Sequence, residues 1–458
     1  MAGLKEAFLF IAVVAFSVQG YYIWSISPEL RRGIYFHDKR DVSKTRIMAN
    51  TISHNVIGHT NLNHTDKGMP VVLHDSRVFS ADKSRTDKVE TLPSKASREG
   101  QCHYKVQIYD KKGKARKAPV LQSIVQQLSD DPVKSSYVME CGNKCQMELT
   151  IADDSNKFTG MDAVVFHFVK SLIPRPQPPV SMNPNQTWVY FSWESPRSNA
   201  GEAVGTARLP VQATWTYHRS SEIVTPYGLY RRGVPMATQT KTPEEWVKGK
   251  KRLVAWMASN CAGTFWPRTA FVKELQKYIP VDTYGACGTL KCKPSWSTKC
   301  TVDLMRQYKF YLSLENAECG DYITEKLWNK PLTQGVVPIV YGPPRKVYED
   351  LAPPNSFIYI GDYKNMQELA DHLKLLDSNP KLYAKYFEWQ YQGSIEVPKK
   401  MHESYKPSLF CNLIPVIEKV RRGELKRVPV RNSAFAQACR KPDKTKVSAF
   451  GLGKWNPW

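Results

Sequence analysis

An α/β protein with two Rossmann-like domains facing a cleft, preceded by an N-terminal membrane anchor and a stem, is the fold class the sequence predicts. Three observations carry this. A first group of short β-branched and aromatic runs, CHYKVQIYD, MDAVVFHFV and TWVYFSW, is bounded by turn or proline segments, as buried strands are. A second group alternates in texture, with RLVAWMAS, the helically spaced FVKELQKYI, VDTYG, YKFYLSL and VVPIVYG, which is the order of parallel α/β units. Finally, the run from Ala7 to Trp24 carries no charge and is about long enough to cross a bilayer.

Residues 1–6 form a tail ahead of that run and residues 7–24 the anchor, with Tyr21, Tyr22 and Trp24 where an aromatic belt would lie. A cleaved signal peptide is the alternative, for which Gly20 offers a poor cleavage site. Lys5 precedes the span while Arg31 and Arg32 follow it, against the positive-inside trend. Residues 25–100 are polar with little apolar periodicity and read as a stem. Residues 101–240 hold the first strand group. Residues 241–400 hold the second, which opens on a basic, helix-like stretch near Glu244 to Lys251. Residues 401–458 are a C-terminal segment of weaker pattern, its basic part from Arg421 to Lys446 a solvated tail or a surface element. Ligands of open α/β sheets bind beyond the carboxyl ends of the strands, which places a site in the cleft.

Of the 458 residues, 42% are hydrophobic and 12 are Trp, which sets disorder aside. The 65 basic against 42 acidic side chains give a net charge of +23, suited to nucleic acid, a membrane surface or a phosphorylated substrate. The anchor, the absence of a nucleic-acid reader motif and two sequons argue against nucleic acid. Those sequons, Asn63-His64-Thr65 and Asn185-Gln186-Thr187, accept glycans in the secretory lumen. In that compartment the ten cysteines read as disulfides, dense at Cys141 and Cys145 and at Cys287, Cys292, Cys300 and Cys319, with connectivity open. Zinc is the weaker reading, because the spacings lack a paired C-x-x-C and nearby histidines.

FYLSLENAECGDYITEKLW, residues 310–328, concentrates the chemistry. YKFYLSLEN reads as a strand ending at Glu315 and Asn316, and DYITEKLW as the first turns of a helix with Asp321 near its N-terminus. Such a strand-to-helix turn offers free N–H groups to an anion, and Lys326 adds a positive charge, so a diphosphate suits it. A capping Asp321 with Glu325 and Lys326 on a solvated face is the plain alternative. The sequence has no G-x-G-x-x-G, no P-loop and no D-x-D, so neither those phosphate loops nor a required metal is indicated.

FYLSLENAECGDYITEKLW followed by GVVPIVYGPP resembles the signature of the α1,3-fucosyltransferases, more specifically the invertebrate and plant enzymes that act on the N-glycan core, through SNC, VDTYGACG and KC. DAVVFHF, WVYFSWESP, WTYHRSSEIVTPYG and VAWMASNC match in order, so the resemblance covers roughly residues 100 to 400. It implies a Golgi membrane enzyme of GT-B type, single-pass with its catalytic region lumenal, that transfers L-fucose from GDP-fucose with inversion to the 3-hydroxyl of an N-acetylglucosamine. The expected acceptor is the innermost core residue of a glycoprotein N-glycan, and no cofactor is required. Lewis-type fucosylation of outer N-acetyllactosamine and a non-catalytic lumenal glycan-binding relative are the alternatives. By the resemblance Glu194 in FSWESP is the general base, and Asn316, Tyr322, Glu325 and Lys326 hold the nucleotide. Arg268 then falls on the diphosphate.

Three departures from the family pattern stand out. His218, Arg219, Ser220 and Glu222 stand where the family tends to Arg and Asp-Ser-Asp, and Leu314 replaces a phenylalanine. Pro331 lies inside what should be a continuing helix, and would kink it at a cost of about 3 kcal/mol unless the helix ends early.

Overall fold

The computed structural model describes residues 102–109, 136–152, 158–167, 183, 185–199, 205–236, 241–292, 298–397 and 407–440. The tail, the anchor, the stem and Asn63 lie outside the described residues. Among the described residues no helix is long and apolar enough to cross a membrane.

Nine strands come from the first half: β1 Cys102–Tyr109, β2 Tyr137–Glu140, β3 Cys145–Ala152, β4 Ala163–His167, β5 Thr187–Phe191, β6 Pro210–Val211, β7 Ala213–Thr216, β8 Ile223–Val224 and β9 Leu229–Arg232. Seven of them form one sheet in the order β2-β3-β1-β4-β5-β7-β8. Every pairing is parallel except that of β2 with β3. Because a parallel sheet is covered on both faces, its central strand β5, TWVYF, is buried at all five positions, while β1 and β3 nearer the edge alternate in part.

The second half supplies β10 Arg252–Met257, β11 Val281–Tyr284, β12 Tyr308–Leu314, β13 Val337–Tyr341 and β14 Ile358–Tyr359. They form a five-stranded, all-parallel sheet in the order β11-β10-β12-β13-β14. The strand order reverses between β10 and β12, so the loops leaving these two strands at their carboxyl ends flank a crevice, the usual ligand position in such sheets. Of FVKELQKYI only FVKEL is helical, closing the helix Arg268–Leu275, and QKYI turns away from it.

The C-terminal segment is packed structure where it is described. Residues 407–440 return to the first half. There β16 Val428–Pro429 pairs with β6, and β15 Gly393–Glu396, shortly before them, pairs with β9. The helix Leu413–Arg421 buries Leu413, Val416 and Ile417 in the core of the first sheet. Each contributes about 1.5–3 kcal/mol by leaving water. Arg421 is held by Asp162 at 2.6 Å and Glu418 at 2.7 Å, so the basic stretch begins as packed structure.

All ten cysteines are paired, as Cys102–Cys145, Cys141–Cys411, Cys261–Cys287, Cys292–Cys300 and Cys319–Cys439. The disulfide expectation therefore holds, and no thiolate remains in CGNKC or its sister cluster to ligate zinc.

Candidate active site at the carboxyl ends of β10 and β12

Glu315 follows the last residue of β12 and is 1% exposed. A carboxylate there needs donors, and three converge on it: the Thr324 backbone N–H at 2.8 Å, the Thr324 hydroxyl at 2.8 and 2.9 Å to the two oxygens, and Lys326 Nζ at 3.1 Å. The loop thus closes onto its own strand end. Gly342 makes room for this. A Cβ on it would sit 2.6 Å from the Glu315 Cβ, and its φ is +157°.

The helix begins later than the sequence predicts. It spans only Glu325–Trp328, with Thr324 as its cap. Asp321 does not cap it. Asp321 takes a left-handed φ of +56°, and its carboxylate accepts from the backbone N–H of Arg219 at 2.8 Å and from the Arg219 guanidinium at 3.0 to 3.2 Å. Asp321 therefore ties the loop after β12 to the turn after β7, one sheet to the other. Pro331 causes no kink, because the helix has already ended at Asn329. It starts a short 3-10 turn, Leu332–Gln334, closed by Gly335 at φ +64°.

A second contact joins the sheets. Tyr322, 1% exposed, donates its hydroxyl to Glu194 Oε2 at 2.9 Å. Glu194 follows β5 and is exposed, so one edge of its carboxylate is fixed and the other open. Beside it Tyr217 packs on Tyr322 at 5.2 Å, and Tyr227 donates to the Trp193 carbonyl at 2.6 Å. Apart from Arg219, the departures in WTYHRSSE are satisfied locally. Glu222 accepts from the Thr214 backbone N–H at 2.6 Å, and the His218 and Ser220 side chains meet at 2.7 Å.

Two family models match this chain: "Fucosyltransferase, N-terminal" over residues 121–228 and "Glycosyltransferase family 10 (fucosyltransferase) C-term" over residues 247–429. Among curated relatives, α-(1,3)-fucosyltransferase 7 of Bos taurus is 32% identical over 58% of this chain and 72% of its own length. The chain belongs to glycosyltransferase family 10, the fucosyltransferases. Glycoprotein 3-α-L-fucosyltransferase A of Drosophila melanogaster is 37% identical over 54% of this chain and 47% of its own length. For α-(1,3)-fucosyltransferase fut-1 of Caenorhabditis elegans the values are 33%, 64% and 65%. The chain thus spans about half to two thirds of the length of these first two relatives. A crystal structure of an α1,3-fucosyltransferase with GDP covers 71% of this chain and 94% of its own at 16% identity, with a TM-score of 0.43.

Lys326, with 15% of its side chain exposed, lies between two carboxylates. Burial opposes its charge, but Glu315 and Glu325, the latter at 3.2 Å, outweigh burial and hold its ammonium well above the usual lysine range. For Glu325 burial again opposes charge, yet Lys326 and Lys330 bring its carboxyl down to about 2. Burial raises Glu315 more than Lys326 lowers it. Glu194 and Arg268 also lie within electrostatic range of Lys326, so charged groups of both sheets meet here.

Arg268, expected at the diphosphate, opens the helix that follows β10. It is 2% exposed, and its two terminal nitrogens donate to the carbonyls of Leu314 at 2.9 Å and Asn260 at 2.8 Å. It braces the ends of the two loops that flank the crevice. Asn316 is half-buried, its carbonyl accepting from the Phe265 N–H at 2.8 Å. Asn185 is exposed in the turn before β5, away from this constellation by sequence and element. Among the described residues no cluster of three His, Cys, Asp or Glu side chains could hold a metal ion.

Sequence reasoning left Glu315, the Arg219–Asp321 pair and Gly342 out of the site. A glutamate directly after a largely buried strand was a signal for the first. The pair, separated by 102 positions, left none.

Proposed function

We propose that the chain transfers L-fucose from GDP-fucose to the 3-hydroxyl of an N-acetylglucosamine in a glycoprotein N-glycan, the innermost core residue, with inversion. The observation that carries this is the meeting of Glu194 from one sheet with Tyr322 and Lys326 from the other. A sugar hydroxyl is a weak nucleophile, so a carboxylate must take its proton as the new C–O bond forms. Glu194 does so, held by the Tyr322 hydroxyl. The anomeric C–O bond breaks with its electrons passing to the diphosphate, whose growing charge Lys326 meets. Glu325, 3.2 Å from Lys326, and Asn316 serve the nucleoside side of the donor, and Arg268 braces the loops beside the diphosphate. No resident cofactor is assigned to the step.

The printed name of the Drosophila relative supports a glycoprotein acceptor. Placement follows the same reading: an anchor at residues 7–24 in the Golgi membrane with the catalytic region lumenal, supported by five disulfides and an exposed Asn185 in its sequon. The test is to incubate the protein with GDP-fucose and two glycans, one with a free core and one with only outer N-acetyllactosamine. Product on the first alone is expected. Product on the second alone assigns the enzyme to Lewis-type structures, and product on neither overturns the catalytic reading.

A further inference from the structure

A second concave site lies at the opposite edge of the five-stranded sheet. A cavity of about 390 Å³, within the size range of small-molecule sites, is lined by residues that precede the strands: Lys250 before β10, Arg306 before β12 and Gly335 before β13. These strands run parallel, so the cavity is at their amino ends and the active site at their carboxyl ends. The seven residues of β12 separate the two by about 20 Å.

The lining is unbalanced in charge. Lys241, Lys248, Lys250 and Arg306 face one carboxylate, that of Glu245. Glu245 is already engaged: its carboxylate accepts from the Thr242 backbone N–H at 2.7 Å in a capping box. Among the described residues none of the four cations has a carboxylate within ion-pair distance. Lys250 donates only to the Tyr308 carbonyl at 3.0 Å, and Lys241 lies over the Trp246 ring at 4.4 Å. Three exposed cations and a titrating lysine around one hollow, with no carboxylate paired to them, favour the entry of an anion.

We propose that this cavity binds a small anion bearing a phosphate or sulfate ester, independently of the donor site. Lys248 and Arg306, both exposed at the rim, meet the anion first; Lys250 contacts it from within. Burial, then Lys309 and Lys241, bring the Lys250 ammonium down to about 7. The charged neighbours are Lys241, Lys248, Arg306 and Glu245 in the cavity, and behind it Lys309, itself paired with Asp377 at 2.6 Å. An anion favours protonated Lys250, so affinity falls as pH rises from 6 to 8 and binding takes up a proton.

The experiment is calorimetric titration of the full chain with N-acetylglucosamine 6-phosphate, N-acetylglucosamine 6-sulfate and uncharged N-acetylglucosamine. Saturable binding of at least one ester and none of the neutral sugar is expected, and the tighter ester identifies the source chemistry. The double variant Lys248→Glu, Arg306→Glu should weaken it at least tenfold, while Lys326→Ala leaves it unchanged. Lys250→Gln should remove the pH dependence. Both rim residues are exposed, and an unaltered melting temperature verifies that the double variant folds. No saturable binding of either ester overturns the proposal. So does binding that survives the double variant, or that is lost with Lys326→Ala and so belongs to the donor site.

Discussion

Replacing Glu315 by Ala removes the acceptor on which the loop after β12 closes. The carboxylate is 1% exposed and its partner Lys326 has 15% of its side chain exposed, so water cannot stand in for either. Breaking a buried pair from one side costs about 3–5 kcal/mol, much of it the charge left behind. The stranded Thr324 N–H adds to this, while Glu325 at 3.2 Å still faces Lys326 and relieves part of it, so about 3–5 kcal/mol is the expected total. Glu315→Gln keeps an oxygen for Thr324 and loses only the charge, and should cost less. The assay is urea unfolding followed by Trp fluorescence for both variants, for Lys326→Met and for the double variants. A coupling energy of about 1–3 kcal/mol between positions 315 and 326 is expected, with weaker GDP binding in Glu315→Gln because Lys326 is no longer held in place. Additivity within about 0.5 kcal/mol would refute the linkage.

Acid should weaken the site in a defined window. The Glu325 carboxyl is depressed from 4.5 to about 2 in the folded state, so its contribution is present above pH 4.5 and is lost as pH falls toward 2. Its side chain is 38% exposed, which screens the effect and makes it small. Unfolding measured from pH 5 to 2 should show a shallower slope in Glu325→Gln than in the parent, and equal slopes would contradict the assignment. Gly342→Ala forces a Cβ into Glu315 and should cost about 1–3 kcal/mol while weakening GDP. An unchanged melting temperature would show that the loop yields freely.

The five strands of the second sheet differ in how they could be read. β10 to β13 were legible because their buried stretches are mostly apolar runs, and FVKELQKYI because its period is helical. The start of the helix at Glu325 was misplaced by one turn, since Asp321 and Thr324 are both good caps and only the left-handed turn at Asp321 decides between them. That turn depends on Arg219, a partner across the cleft. The helix Leu413–Arg421 carried its signal openly, with Leu413, Val416, Ile417 and Val420 at helical spacing. Pro415 disguised it, yet a proline in the first turn removes an N–H that has no helical acceptor anyway. Disulfide pairs 120 and 270 residues apart leave no local trace at all.

The most direct test of the cross-cleft site is Glu194→Gln. Its hydrogen bond with Tyr322 can persist through the amide oxygen, so the loop should stay in place and GDP should bind with unchanged affinity. Fucose transfer should fall by about 10²–10⁴-fold, the usual contribution of a general base. Transfer near the parent rate, or a loss of GDP affinity in step with the rate, would contradict the role given to Glu194.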